Sequence, residues 1–503
     1  MKLKFIMSLC LAGASLGMFA QTHAEGVEYY KADQFNNALE LLERNYNNPG
    51  TDKAIANYYL GLLNIKMKDM AKAEKYFQDG LQVNPNYPYN YIGLGSLALK
   101  QGQLKQAEEY FKKAEKLNKK DASVDVAIAR AYYESGSDGA VKYAKQIEKA
   151  MKNARKHNIL EPEIFRFEGD VALDNGDINE AAAKYDMAIS YNPQATDAYV
   201  KYANIMRNFN PGASIQKLEE LLRVNPNSAL GLRELANFYY DQANYKKAAE
   251  QYGKYVQNPS HFKSDEDRYA FLLFYGGDYK KGYDYATQLL ASNPDNFTAQ
   301  RFQFMNAAQL DDMAQQLFPL AQKLWTKHEA DPKLNSLSQI DYNLLSMAYT
   351  DQKDYDTAKK VIEEAIKSFP DVTSYNRSLA YNYLYQENYP EAAKLMEKYI
   401  QIAKEPSSND YMAAANFFYY AGALGNEDDA AKKADYAKAT EYANRVISMD
   451  ANNFRPYRLL GDIALQNGDN ATGRAQYEKA LSLIDQTKNP KDYEALSKAL
   501  GNK

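Results

Sequence analysis

An alanine followed four residues later by an aromatic recurs through this 503-residue chain, as Ala73 with Phe77, Ala107 with Phe111, Ala181 with Tyr185 and Ala248 with Tyr252. The first two alanines are 34 residues apart, and each unit carries further fixed points. A small residue stands about twelve positions before the alanine (Gly61, Gly95, Gly169, Ala236) and another seven after it (Gly80, Ala114, Ala188). Prolines follow near the end of many units, at Pro85, Pro193, Pro226, Pro259, Pro294 and Pro370. An apolar residue precedes each signature small residue by three: Phe35, Met70, Leu104, Ile178, Tyr245, Tyr279, Tyr355 and Tyr389. Two antiparallel helices approach closely only where side chains are small, so glycine or alanine marks the crossing and an aromatic fills the space beside it. Proline then ends the second helix. A period of this length predicts stacked helix pairs, each burying its apolar face against its neighbours, and the usual conversion of length into globular domains does not apply.

This skeleton resembles the tetratricopeptide (TPR) repeat. The resemblance implies an all-α fold, a right-handed superhelical solenoid of antiparallel helix hairpins, with roughly thirteen repeats. Further units fit around Gly26/Ala38, Ala348/Ala358, Ala380/Ala392 and Gly461/Tyr477/Ala480. Departures from the pattern set soft boundaries: a first block at 24–120, an irregular repeat or hinge at 121–162, a second block at 163–295, an irregular repeat at 296–336 and a third block at 337–490. The hinge carries Ser135, Gly136 and Gly139 ahead of a strongly basic helix, 142–157. Segment 296–336 lacks a clear crossing alanine, holds the only tryptophan, Trp325, and places Pro319 in a helical stretch, so it is expected to break the regular stacking. About ten additional residues at 427–437 are expected to lengthen a helix or its turn. Residues 491–503, with Tyr493, Leu496 and Leu500 at helical spacing, form a capping helix.

The first 20 residues, two lysines followed by a mostly apolar run ending at Ala20, have the layout of a secretory signal peptide. Cleavage follows Ala20 or comes as late as Ala24. The run is shorter than the roughly 20 residues a membrane span needs. Export to the periplasm, with outer-membrane association as a variant, is therefore expected, and no integral span should remain after cleavage. The tyrosine-, asparagine- and lysine-rich composition resembles Bacteroidetes-type envelope proteins. Cys10, the only cysteine, lies inside the signal, so the mature chain has no disulfide or thiolate chemistry.

Lys+Arg 61 against Asp+Glu 65, finely interspersed, leaves no long cationic field, which argues against nucleic-acid partners. The histidines His23, His157, His261 and His328 are scattered, so no metal site and solvated surface rings are expected. Phosphate-binding loops, nucleophile elbows and dinucleotide fingerprints are absent from the sequence, and acidic pairs such as Asp311-Asp312 and Asp428-Asp429 fit helix starts. The chain is thus read as a non-enzyme with no catalytic residues and no cofactor.

The TPR resemblance implies that the first helix of each hairpin lines a concave groove at positions three before, one after and four after the crossing residue. Those positions give a protein-binding groove that includes Tyr58, Arg166, Arg233, Arg377 and Arg458, then Asn237 and Tyr381, then Tyr240. Spacing pairs Arg166 with Asp170 and Arg458 with Asp462 along their own helices, leaving Arg233 and Arg377 for acidic segments of a partner. Arg233 and Asn237 form a fragment of the family's carboxylate clamp, but Arg268 stands where that clamp wants asparagine, so chaperone-tail recognition is not supported. Of the 44 tyrosines, Tyr185, Tyr252, Tyr279, Tyr355, Tyr389 and Tyr477 are expected in the core, with about a third left for a binding face. The function implied is an exported scaffold that binds envelope proteins or peptide segments. The alternative is a ligand-binding or accessory subunit of a surface glycan-uptake or secretion system.

Overall fold

The computed structural model describes residues 22–425 and 428–501, so the signal segment lies outside the described residues. Helices follow one another in antiparallel pairs throughout, among them Lys53–Lys66 with Met70–Val83, Pro162–Asp174 with Ile178–Tyr191, Ser374–Tyr385 with Tyr389–Ile402, and Phe454–Gln466 with Asn470–Leu483. The architecture is the all-helical hairpin solenoid. It divides into two compact units, the first ending at Asp278 and the second beginning at Tyr279.

The sequence skeleton has a direct steric meaning. A Cβ added to Gly61 would lie 2.3 Å from the Phe77 ring, and one added to Gly95 would lie 2.3 Å from Phe111. Gly169 meets Tyr185 at 2.6 Å and Gly461 meets Tyr477 at 2.4 Å in the same way. Each glycine therefore opens the slot its partner ring fills, and any side chain there would force the hairpin apart.

The turn inside each hairpin is equally local. A residue in the left-handed region ends the first helix, at Lys68 (φ 65°), Gly176 (φ 79°), Ala243 (φ 55°), Lys353 (φ 61°), Glu387 (φ 60°) and Gly468 (φ 77°). The next residue, Asp69, Asp177, Asn244, Asp354, Asn388 or Asp469, caps the second helix by accepting a backbone N–H three residues on. One residue reverses the chain and its neighbour satisfies a donor the new helix would leave open.

Three stretches depart from this form. In 121–162 a short helix, Gly139–Lys142, precedes Ala144–His157. Pro319 sits in the second turn of Ala314–Ala330, where it removes one intrahelical hydrogen bond without ending the helix. Trp325 in that helix packs with Phe304, Leu324, Tyr342 and Leu345 in a buried cluster. After Ser408–Tyr420 the chain makes a widened turn, Ala421–Gly425, and then runs through a 21-residue helix, Asp429–Met449. The last helix, Pro490–Ala499, buries Leu496 and its follower Leu500 against Tyr477 and Ile484.

Candidate functional site: the first-helix face

The first unit folds its own N-terminal hairpin onto the face lined by first helices. Helix His23–Lys31 places Tyr29, fully buried, edge-on to Phe262 at 5.4 Å. The Thr196 hydroxyl donates to Glu28 at 3.2 Å, and Lys31 pairs with Glu163 at 2.9 Å. In the turn that follows, Asp33 meets Lys201 at 2.8 Å and the Gln34 amide donates to Glu234 at 2.7 Å. Arg44 closes the second helix onto the His261 carbonyl at 3.1 Å. These contacts join residues up to 217 apart in sequence, so helices 162–174, 196–206 and 229–241 all meet the N-terminal hairpin.

Beside this internal occupant lie a cavity of about 1050 Å³, walled by Tyr30, Phe35, Tyr58, Leu62, Ile65, Arg130 and Lys201, and a smaller one of about 430 Å³ that reaches His23 and Tyr89. Tyr30, Tyr59, Tyr58, Tyr89 and Tyr87 form a connected ring cluster on their wall, with centroids 5.0 to 5.4 Å apart.

The arginines of this face form a ladder between repeats. Arg130 pairs with Asp170 at 2.7 Å, Arg166 with Asp197 at 3.0 Å, and Arg233 with Asp265 at 2.7 Å. The second unit carries the same kind of pairing: Arg301 donates to Asp341 at 2.9 Å, Arg377 pairs with Asp410 at 2.9 Å, and Arg458 pairs with Asp492. Most of the aspartates stand at or near the start of the next first helix, and Asp341 and Asp410 complete capping boxes with Ser338 and Ser407. Each such carboxylate answers a helix N-terminus and the preceding repeat's guanidinium together, which fixes the stacking register.

Electrostatics follow from burial. Burial alone would raise Glu163, but Arg166 and Lys31 beside it hold it down to about 2. Asp170 is likewise lowered against its burial by Arg130 and Lys201. Glu28 goes the other way: burial raises it to about 7, only partly countered by the Thr196 hydroxyl.

The candidate residues thus find partners inside the chain. Arg166 does not pair with Asp170; it meets Glu163 one turn back and Asp197 of the next repeat. Arg458 does not pair with Asp462, which instead accepts from the Tyr477 hydroxyl. Arg233 and Arg377, expected to await an acidic partner, are closed by Asp265 and Asp410. Spacing along one helix offers only that helix's own carboxylates, whereas stacking brings the start of the next first helix closer. Tyr58 is buried in the ring cluster, Asn237 and Tyr240 are half-buried in the first unit, and Tyr381 is half-buried in the second.

Other expectations also need correction. His328 is buried, with one ring nitrogen 2.7 Å from the Asn335 carbonyl and the other 2.8 Å from Glu364. His157 lies 2.7 Å from Asp125 rather than in open solvent. Tyr185, Tyr252 and Tyr477 are core residues, but Tyr279, Tyr355 and Tyr389 are only partly covered. Tyr355 stacks on Tyr385 at 6.0 Å, and Tyr389 meets Tyr420 at 6.0 Å, which places a band of rings on the surface of the second unit. Tyr385 is 49% exposed and Tyr420 39%.

Comparison with known proteins gives the repeat a name. A tetratricopeptide repeat model matches residues 64–131, and a second model of the same description matches 168–210, 206–261, 343–408 and 428–492. No curated protein matches the chain. Among solved structures, yeast Tom70 is 14% identical, with 89% of this chain and 95% of that one covered at a TM-score of 0.30. A tetratricopeptide repeat protein from Parabacteroides merdae is 15% identical over 68% of this chain and 99% of its own, also at 0.30. The human IFIT1 dimer with PPP-AAAA is 13% identical, covering 91% and 94%, at 0.30. No helix among the described residues is long and apolar enough to cross a membrane.

Proposed function

From the premise that this is a tetratricopeptide-repeat chain, whose repeats imply a protein–protein interaction scaffold, we propose that it is exported and holds protein segments in the bacterial cell envelope. The observation that carries the binding reading is internal. The first-helix face of the first unit already takes a helix, His23–Lys31, through one buried tyrosine, one ion pair and flanking hydrogen bonds. Helical recognition on such a face uses anchors one turn apart and polar contacts at the rim. The second unit offers Tyr381, Tyr385 and Tyr420 on its own surface, and these are the residues available to a partner.

The alternative, a ligand-binding subunit for surface glycans or an exported substrate, draws on the same exposed rings, since tyrosine offers a flat apolar face and a hydroxyl. The two readings separate in one experiment. A photo-crosslinking amino acid is placed at Tyr385 or at Lys394, whose side chain is 73% exposed on the following helix, and envelope fractions of the host are irradiated. Discrete protein adducts at 385 and none at 394 are expected, together with a mature mass lacking the first 20 to 24 residues. Identical adducts at both positions refute the groove. An unprocessed, cytoplasmic chain refutes export, and glycan retention without protein adducts selects the alternative.

A further inference from the structure

The irregular repeat of the first unit opens a groove. In a regular hairpin a short turn joins the helices, as residues 67–69 join Lys53–Lys66 to Met70–Val83. In 121–162 the chain spends residues 134–143 on a turn and a short helix before the second helix, Ala144–His157, begins. That helix turns Ala150, Met151 and Ala154 into the core, while Ala144 stays exposed and Ile147 half-buried. An open groove of about 650 Å³ runs between it, Pro162–Asp174 and Ile178–Tyr191, with Ala144, Ile147, Met151, Phe167 and Val171 as its apolar lining. From Ala144 to Arg155 it follows about three helical turns, roughly 16 Å. A second hollow, of about 540 Å³, shares Asn175 and Asp177 with it and adds Met206 and Phe209, the latter 66% exposed. Val141, next to the groove's Ala140, is 84% exposed. Exposed apolar side chains gathered around one hollow mark a place of association.

Charge around the groove is sorted. Glu168 takes both cations of the rim, pairing with Arg155 and, at 3.0 Å, with Lys184. Glu148 meets no cation among the described residues, and Asp177 answers the backbone N–H of Glu180. Lys145, Lys149, Lys152 and Lys156, on the same helix as Glu148, lie outside the lining, so the basic charge of this segment turns away and the rim is left negative. The walls are helices whose backbone groups are spent on their own hydrogen bonds. An extended segment finds no edge there to pair with, whereas a helix can lay a ridge of side chains between them. We infer that the groove seats an amphipathic helix of a second protein, its apolar side chains in the trough and its lysine or arginine side chains against Glu148 and Asp177. Two of the three walls are second helices, so this surface is separate from the first-helix face and adds to the scaffold reading without depending on it.

The test uses the mature full-length chain and two fluorescein-labelled peptides of about five helical turns, with leucine on one face flanked by lysine in one peptide and by glutamate in the other. The lysine peptide is expected to bind about tenfold tighter or more, as complementary charge at the rim would give. Ala144→Trp fills the trough from an exposed position and should abolish binding without moving the thermal unfolding midpoint. Glu148→Lys should remove the preference for lysine, and Lys152→Glu, outside the groove, should leave it unchanged. Equal binding of the two peptides by the wild-type chain, or undiminished binding by Ala144→Trp, overturns the inference. A dimer of the unliganded chain that Ala144→Trp dissolves in sedimentation overturns it too, because the occupant is then a second copy. Crosslinking through position 385 is scored separately, so the failure of one surface leaves the other standing.

Discussion

The two units use the same arginine–aspartate rung in two environments. In the first, the rungs lie beneath the N-terminal hairpin: Arg166 is only 9% exposed, and Asp170 is shared by Arg130, Lys201 and the Tyr185 hydroxyl. In the second, the Arg377 and Arg458 side chains are 43% and 42% exposed at their aspartates. The chemistry is the same, and the dielectric differs. A pair in water gains little because solvent screens it, whereas a buried network must be complete, since any lone charge left inside is heavily penalised. The hairpin 23–45 thereby turns a stacking device into a locked core, whereas the second unit, whose Arg301–Asp341 rung is buried, leaves the arginines of its Arg377 and Arg458 rungs open at the surface.

Removing the centre of the buried network breaks this comparison most severely. Asp170→Ala leaves Arg130 and Lys201 facing each other without their shared carboxylate, and the first unit should lose about 3–5 kcal/mol. Urea unfolding separates the units, because the single tryptophan, Trp325, is buried in the second. Far-UV circular dichroism should show an early transition while Trp325 fluorescence keeps its midpoint. Equal displacement of both signals would mean that the lock is shared and the contrast between units is false.

A pH experiment sharpens the comparison at smaller amplitude. Glu163 and Asp170 have lowered values when folded, so their contribution is present above the ordinary carboxylate range and is lost as the pH falls, for Glu163 through about 2. Glu28 has the opposite sign. Its folded value is raised to about 7, so between its ordinary 4.5 and 7 the folded chain keeps a proton that the unfolded chain has lost. The stability it contributes is complete below 4.5 and fades as pH rises through 7. Glu28→Gln should therefore be more stable than wild type at pH 7, by roughly 1–2 kcal/mol once partial exposure is discounted, and the gain should vanish near pH 4.5. Parallel curves for the two proteins across that range would show that Glu28 is not held in the groove.

What the sequence revealed and what it hid divide along the same line of range. The crossing glycines and their aromatics were legible because Gly61 with Phe77, or Gly461 with Tyr477, lie in one hairpin and state a steric requirement directly. The Asp and Asn caps belong to the same local grammar. Contacts such as Arg44 to the carbonyl of His261 or Gln34 to Glu234 were not legible, because they arise from small rotations accumulated over many repeats, which no single repeat encodes. The ladder lay between these extremes. Ser338 with Asp341 and Ser407 with Asp410 were visible as capping boxes, and an arginine 33 residues before Asp410 was visible as well. Only the stacking of repeats turns the two into a pair, so the spacing within one helix points Arg377 to a partner and Arg166 to Asp170, while the stacked structure joins Arg377 to Asp410 and Arg166 to Asp197.

The smallest effect tests the comparison from the exposed end. Arg458→Gln removes the guanidinium opposite Asp492, whose side chain is 38% exposed, so the aspartate left behind is hydrated at once. The loss should be below about 1 kcal/mol and should disappear in high salt, where exposed pairs are screened. Arg166→Gln, the same substitution at a buried rung, leaves Glu163 and Asp197 without their shared cation and should be several times more costly and insensitive to salt. The measurement is a pair of urea titrations at low and high sodium chloride. If burial beneath the hairpin sets the worth of a rung, the two variants diverge in both size and salt response; equal losses would show that the rung's value lies in the helix start it caps, wherever that helix stands.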